Sequence, residues 1–175
     1  MVKLRDSGIT NLAAKFMSTS EEPTNRSSAA RVILWAGLIA GALDLAGACL
    51  VAWLRSGVRP VRVFQSIASG LYGPAAFTGG AKTASLGVVL HFIIATTAAA
   101  VYYLASLKLR FLIERTIIAG VLYGVAVYLF MNFVVLPLSA VTRRPMPISG
   151  RIIGLLIIIF CVGLPIAFVV RRLSK

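Results

Sequence analysis

The sequence has few acidic residues and few side chains that commonly do chemistry. Its 175 residues include five Asp and Glu, one histidine and two cysteines. A single histidine excludes an H-E-x-x-H zinc motif and a pair of axial haem histidines, and no Ser-His-Asp spacing is present. We therefore predict no catalytic residues, no metal site and no cofactor, and the sequence favours a protein that is not an enzyme.

Apolar residues are what the chain has in abundance. Hydrophobic residues make up 59% of it and charged residues 13%, whereas soluble domains are closer to half apolar and a quarter charged. The hydrophobic residues come in four long blocks, and each block is long enough to cross a hydrocarbon layer of about 30 Å. The sequence predicts an all-α membrane protein with four transmembrane helices, at about residues 32–54, 83–107, 116–138 and 152–170.

Two further segments have helical patterns outside these spans. Residues 1–30 are predicted as a cytoplasmic unit, an amphipathic helix over residues 9–17 followed by a polar linker at 18–28, with the four-helix domain at 31–175. Between the first two spans, a proline precedes an apolar stripe and Gly73-Pro74 follows it. This pattern predicts an interfacial or re-entrant helix whose stripe consists of Val63, Phe64, Ile67 and Leu71.

The net charge of +13 comes from cations at the ends of the apolar blocks. This position is typical of anchoring to anionic lipid headgroups, for which Arg55, Arg59 and Arg62 are candidates, and no pattern of basic and aromatic residues indicates nucleic-acid binding. Eleven of the eighteen Lys and Arg lie on the face that carries both termini. The positive-inside rule therefore predicts that both termini are cytoplasmic.

Three polar residues interrupt the apolar blocks. Asp44, His91 and Asn132 lie about eleven, nine and eleven residues from the nearest cation on the face opposite the termini, so their predicted depths agree within roughly 3 Å. Ionisable groups at this depth usually line a pathway or pocket. The cluster is therefore a candidate site for protonation or binding, and the alternative is a set of hydrogen bonds that fixes helix register.

Glycine is frequent on two of the predicted spans. Gly37, Gly41 and Gly47 flank Asp44 on its helical face, and Gly120 and Gly124 form a second G-x-x-x-G motif. Such motifs allow two helix backbones to approach closely. We expect either that the two motifs pack on each other or that one of them joins subunits of a homo-oligomer. The two cysteines, Cys49 and Cys161, are predicted as buried thiols or as a disulfide.

Four stretches resemble a family of small four-span bacterial inner-membrane proteins without an assigned activity. They are IASGLYGPAAFTGG (67–80), HFIIA (91–95), YGVAVYLFMNFVVLPLSA (123–140) and FCVGLPIA (160–167). The resemblance implies an integral protein of the bacterial inner membrane. Members of that family often have a second histidine just before the last stretch, where this chain has Ile158 and Ile159. This difference weakens any proposal of a two-histidine metal or haem site.

The leading functional prediction is proton-coupled or small-solute passage through the membrane, using the cluster of Asp44, His91 and Asn132. The alternative is an assembly or lipid-interacting factor in which the cluster serves packing only.

Overall fold

The computed structural model describes residues 22–142 and 147–174. The chain divides into two compact units, Met1–Arg31 and Val32–Lys175. In the first unit, residues 22–31 are described and belong to the helix Glu22–Ser56, so the predicted polar linker is helical from residue 22. The predicted amphipathic helix over residues 9–17 lies outside the described residues.

Four of the described helices are long and apolar enough to cross a membrane. They are the first span Ser28–Ser56, the second span Gly80–Lys108, the third span Thr116–Leu138 and the fourth span Ile148–Leu173. The all-α, four-span prediction is thus confirmed. The third span keeps its predicted bounds, and the other three extend by one to four residues because their helices continue into the polar segments at each end.

The third and fourth spans each contain one π-helical turn. The third span consists of Thr116–Phe130, the π-helical turn Met131–Val135 and Leu136–Leu138. The fourth consists of Ile148–Ile157, the π-helical turn Ile158–Gly163 and Leu164–Leu173. In both spans a proline follows the π-helical turn by two residues, at 137 and 165. Proline has no backbone N–H to donate four residues back, so the regular α-helical pattern is interrupted there.

The helix predicted between the first two spans is present. This connecting helix, Pro60–Tyr72, begins with a proline at its first position and ends at Gly73, whose φ of 56° favours glycine. A 3₁₀ turn, Gly73–Phe77, leads to the second span.

The packed face of the connecting helix differs from the predicted apolar stripe. Its buried residues are the small or polar Gln65, Ala68 and Ser69, whereas Leu71 of the stripe is 63% exposed. The fully buried positions of the helix thus carry small or polar side chains, while Val63, Phe64 and Ile67 of the predicted stripe are half-buried and Leu71 is exposed.

Hydrogen bonds at the two ends show that the spans alternate in direction. At the end carrying the connecting helix, the Ala140 N–H donates to the Gly70 carbonyl (2.9 Å), and Arg55 Nη2 donates to Ser149 Oγ (3.3 Å). At the opposite end, Arg171 Nη1 donates to Thr116 Oγ1 (3.2 Å). We call the first of these ends the connecting-helix face and the second the short-loop face. The short loop is the connection at residues 109–115, which contains the short helix Phe111–Glu114.

Within the unit Val32–Lys175, each span contacts at least two others. The first span meets the second at Gly37 and Gly41, and the fourth at Gly47. The third span meets the second through Tyr123, whose hydroxyl donates to the Ala98 carbonyl (2.6 Å), and meets the fourth at Gly120. The second span also contacts Leu164–Leu173 of the fourth span, so it touches all three of the others.

The core of this unit is built mainly from small residues, and the large apolar side chains face outward. The buried hydrophobic residues are mostly alanines, such as Ala36, Ala40, Ala99 and Ala167, with a few larger residues such as Tyr102. Many Leu, Ile, Phe and Trp side chains are exposed. Such a surface would be unfavourable in water but is the normal surface of a helical protein in lipid, where helices pack through small residues.

Candidate functional site

The structure brings Asp44 of the first span and His91 of the second span together. His91 Nε2 lies 3.8 Å from Asp44 Oδ2 and 2.9 Å from the Gly41 carbonyl oxygen. The side chains are 14% exposed at His91 and 22% exposed at Asp44. The pair therefore joins two helices while part of each ionisable side chain remains accessible.

Glycine at 41 allows the imidazole to reach the backbone of the first span. A Cβ atom at Gly41 would lie 2.9 Å from the nearest ring atom of Phe92 and 3.1 Å from the Ala95 Cβ. One turn earlier, a Cβ atom at Gly37 would lie 2.6 Å from the Thr96 Cα. The two glycines thus set a short distance between the spans, across which His91 Nε2 reaches the Gly41 carbonyl oxygen.

The geometry determines which imidazole nitrogen carries a hydrogen. The Gly41 carbonyl oxygen can only accept a hydrogen bond, so Nε2 of His91 must be the donor. The nearby Asp44 oxygen is also an acceptor when the carboxyl group is ionised. Uptake of a further proton by the pair would therefore occur at His91 Nδ1 or at the Asp44 carboxylate, while the Nε2 hydrogen bond is retained.

The fourth span adds a residue that the sequence did not single out for the site. Cys161 lies in the π-helical turn, and a Cβ atom at Gly47, one helical turn after Asp44, would lie 3.5 Å from its Sγ. Asp44, His91 and Cys161 lie twelve, eleven and thirteen residues from the connecting-helix ends of their spans, or roughly 17–20 Å deep.

Both cysteines are free thiols, so the alternative of a disulfide between Cys49 and Cys161 is wrong.

Proline was the sequence signal for the fourth-span element of the site. Pro165 follows Cys161 by four residues and marks the π-helical turn. Such turns are frequent at functional sites.

The depth of Asn132 relative to the pair differs with the end of the span from which it is counted. From the short-loop ends, Asp44, His91 and Asn132 lie sixteen, seventeen and sixteen residues deep, so their depths agree within about 1.5 Å. From the connecting-helix ends they lie twelve, eleven and six residues deep, because the third span ends at Leu138. The Asn132 amide donates to the Tyr128 carbonyl (2.9 Å) of its own span. The shared depth of the three residues stays a prediction.

The two G-x-x-x-G motifs face different helices. Gly37 and Gly41 contact the second span, as described above. A Cβ atom at Gly124 would lie 2.7 Å from the Ile159 Cα of the fourth span, and one at Gly120 would lie 3.1 Å from the Gly163 carbonyl oxygen. The expectation that the motifs pack on each other is therefore wrong. Because both motifs are used within the chain, a homo-oligomer joined through either of them has no support, and oligomerisation stays a prediction.

The candidate headgroup residues lie at the connecting-helix face. Arg55, Arg59 and Arg62 are all exposed, and the Arg62 guanidinium lies over the Phe77 ring at 5.6 Å from its centroid.

Within residues 22–142 and 147–174, no group of three or more His, Cys, Asp or Glu could hold a metal ion.

No family model, curated protein or solved structure matches this chain. The resemblance of its motifs to a family of four-span bacterial proteins therefore stays a prediction, and its function has to be argued from its own residues.

Proposed function

We propose that this membrane protein mediates proton-coupled or small-solute passage, with Asp44 and His91 as its protonation site. The observation that carries the proposal is the meeting of two ionisable side chains from different spans, 3.8 Å apart and both partly exposed. A charged group in the middle of a membrane is costly and is usually found on an ion or substrate pathway. We place the protein in a bacterial inner membrane, with both termini in the cytoplasm.

Uptake of one proton changes the net charge of the pair. With Asp44 ionised and His91 neutral, the pair carries one negative charge, and a proton at either Asp44 or His91 Nδ1 brings the net charge to zero. A cationic solute beside the carboxylate would compensate the same negative charge. Binding of a proton and of a small cation at this site would therefore compete, which is one way to couple their passage.

The alternative is that the pair serves packing only, in an assembly or lipid-interacting factor. The hydrogen bond from His91 Nε2 to the Gly41 carbonyl favours this interpretation, because it ties the first span to the second. Such bonds average only about 0.6 kcal/mol in a membrane. The packing function therefore gives little reason to place a carboxylate beside the imidazole.

Proton flux into liposomes distinguishes the two functions. Purified protein is reconstituted with an internal pH-sensitive dye, and a potassium diffusion potential drives proton entry. We expect wild-type liposomes to acidify faster than empty ones, and Asp44→Asn to return the rate to that of empty liposomes because its side chain cannot take up the proton.

Thr97→Val is the matched control. Thr97 is an exposed polar residue of the second span, and its hydroxyl donates to the Ile93 carbonyl of its own helix (2.8 Å). It should keep the wild-type rate. A wild-type rate equal to that of empty liposomes, or an unchanged rate in Asp44→Asn, would leave packing as the role of the pair.

A further inference from the structure

Three arginines lie close together where the first span ends and the connecting helix begins. Arg55 is in the last turn of the first span, Arg59 directly precedes the connecting helix, and Arg62 is in its first turn. Gly57 lies between Arg55 and Arg59 and has a φ of 62°, a backbone conformation that favours glycine. We call Arg55, Arg59 and Arg62 the arginine turn.

Neutral partners hold two of these guanidinium groups. Arg55 donates to the Ser149 hydroxyl, and Arg62 lies over the Phe77 ring. Within residues 32–142 and 147–174, no acidic residue lies at this face: Asp44 is at mid-depth, and Glu114 is at the short-loop face. Among these residues the arginine turn therefore has no acidic neighbour, and neutral groups contact two of its three side chains.

Large apolar side chains are exposed directly beside these cations. Trp53 and Leu54 precede Arg55 on the first span and are 60% and 68% exposed, and Val61 on the connecting helix is also exposed. The surface thus combines positive charge with an apolar region on the membrane side. A soluble anion could contact only the positive charge. An anionic phospholipid has both a phosphate for the guanidinium groups and acyl chains for the apolar side chains.

We propose that the arginine turn binds the headgroup of an anionic phospholipid, with the acyl chains lying against Trp53, Leu54 and Val61. This site is separate from the Asp44–His91 pair, because Asp44 is eleven residues, roughly 16 Å, away from Arg55 along the first span. Lipid binding does not depend on proton passage, so either proposal can fail without the other.

Titration with single lipids followed by native mass spectrometry tests the headgroup contact. The full-length protein in detergent is titrated with phosphatidylglycerol or with zwitterionic phosphatidylcholine. We expect preferential retention of phosphatidylglycerol, and the double variant Arg59→Gln/Arg62→Gln should weaken it about 30-fold because it removes two headgroup cations. The matched control is Arg110→Gln/Arg172→Gln, two exposed arginines at the short-loop face.

The proposal requires the control to retain the lipid as the wild type does. Equal weakening in both double variants would show a general effect of charge and overturn it, as would equal retention of the two lipids by the wild type. Displacement of phosphatidylglycerol by millimolar inorganic phosphate would indicate a site for free anions instead of a lipid. Circular dichroism identifies a variant that has lost its helices.

Fluorescence quenching tests the acyl-chain contact separately. Phosphatidylglycerol with brominated acyl chains should quench Trp53, and Arg59→Gln/Arg62→Gln should reduce this quenching. The contribution of Trp35, the other tryptophan of the chain, is measured in Trp53→Phe. Quenching that is unchanged by the arginine substitutions would contradict the proposed site.

Discussion

Two contacts between spans are built on the same glycine spacing but differ in what they contain. The third and fourth spans meet through Gly120, Gly124 and Gly163, backbone against backbone. The first and second spans meet through Gly37 and Gly41, which face Thr96, Phe92 and Ala95. At this contact His91 also bonds to the Gly41 carbonyl and lies beside Asp44. In one contact the close approach serves packing, and in the other it also brings ionisable groups together.

The comparison shows that a G-x-x-x-G motif by itself does not specify a function. Both motifs remove side-chain bulk so that van der Waals contact can replace the hydrophobic driving force that lipid does not provide. What distinguishes the first-to-second contact is the side chain supplied by the opposite helix. The two contacts should therefore respond differently when a methyl group is added to each.

The largest effect is expected at Gly163. An added Cβ would overlap the Gly120 carbonyl oxygen and lie 2.7 Å from the Gly124 backbone nitrogen, so Gly163→Ala must push two helix backbones apart. We expect it to destabilise the protein by about 3 kcal/mol, as for severe overpacking. Unfolding in detergent mixtures measures the loss.

Gly154→Ala is the control for that measurement. Its Cβ would lie 3.7 Å from the nearest atom of Tyr128, an ordinary contact, so its stability should equal or slightly exceed that of the wild type. Similar losses for Gly154→Ala and Gly163→Ala would show that backbone proximity at Gly163 does not control the third-to-fourth contact.

A smaller loss of stability, but a loss of function, is expected at Gly41. The added methyl group in Gly41→Ala meets the edge of the Phe92 ring, a side chain that can move, so we expect about 1 kcal/mol of destabilisation. The His91–Gly41 hydrogen bond should lengthen, and proton flux in liposomes should fall well below the wild-type rate.

Gly47→Ala, on the same helix, is the control, because its Cβ would find only contacts of 3.5 Å. It should leave both stability and flux near the wild-type values. If Gly41→Ala lost stability without losing flux, the first-to-second contact would serve packing alone, like the third-to-fourth contact.

The spans could be predicted from sequence because long apolar runs have few alternatives. Their ends were less certain, since a helix continues past the apolar run wherever the next residues tolerate it, as at Ser28–Arg31. The connecting helix was also predictable from its proline start and glycine end. Its packed face was not, because Gln65, Ala68 and Ser69 form no apolar stripe.

The site was only partly predictable. Asp44 and His91 were identified because ionisable residues are rare in spans, and their depths could be counted from nearby cations. The depth of Asn132 stays a prediction, because the sequence does not show that helical rise stops at Leu138 and the count differs between the two ends of the span. Cys161 was predicted only as a buried thiol or a disulfide partner, because a thiol in an apolar run resembles a packing residue and the sequence does not show which helix lies opposite.

Infrared difference spectroscopy of the reconstituted protein tests the central claim most directly, by following the carboxyl group of Asp44 between neutral and acidic pH. We predict that acidification produces a protonated-carboxyl C=O band that is absent from Asp44→Asn, and that His91→Gln changes the pH at which this band appears. A band that persists in Asp44→Asn, or a pH dependence unaffected by His91→Gln, would contradict a protonation site shared by Asp44 and His91.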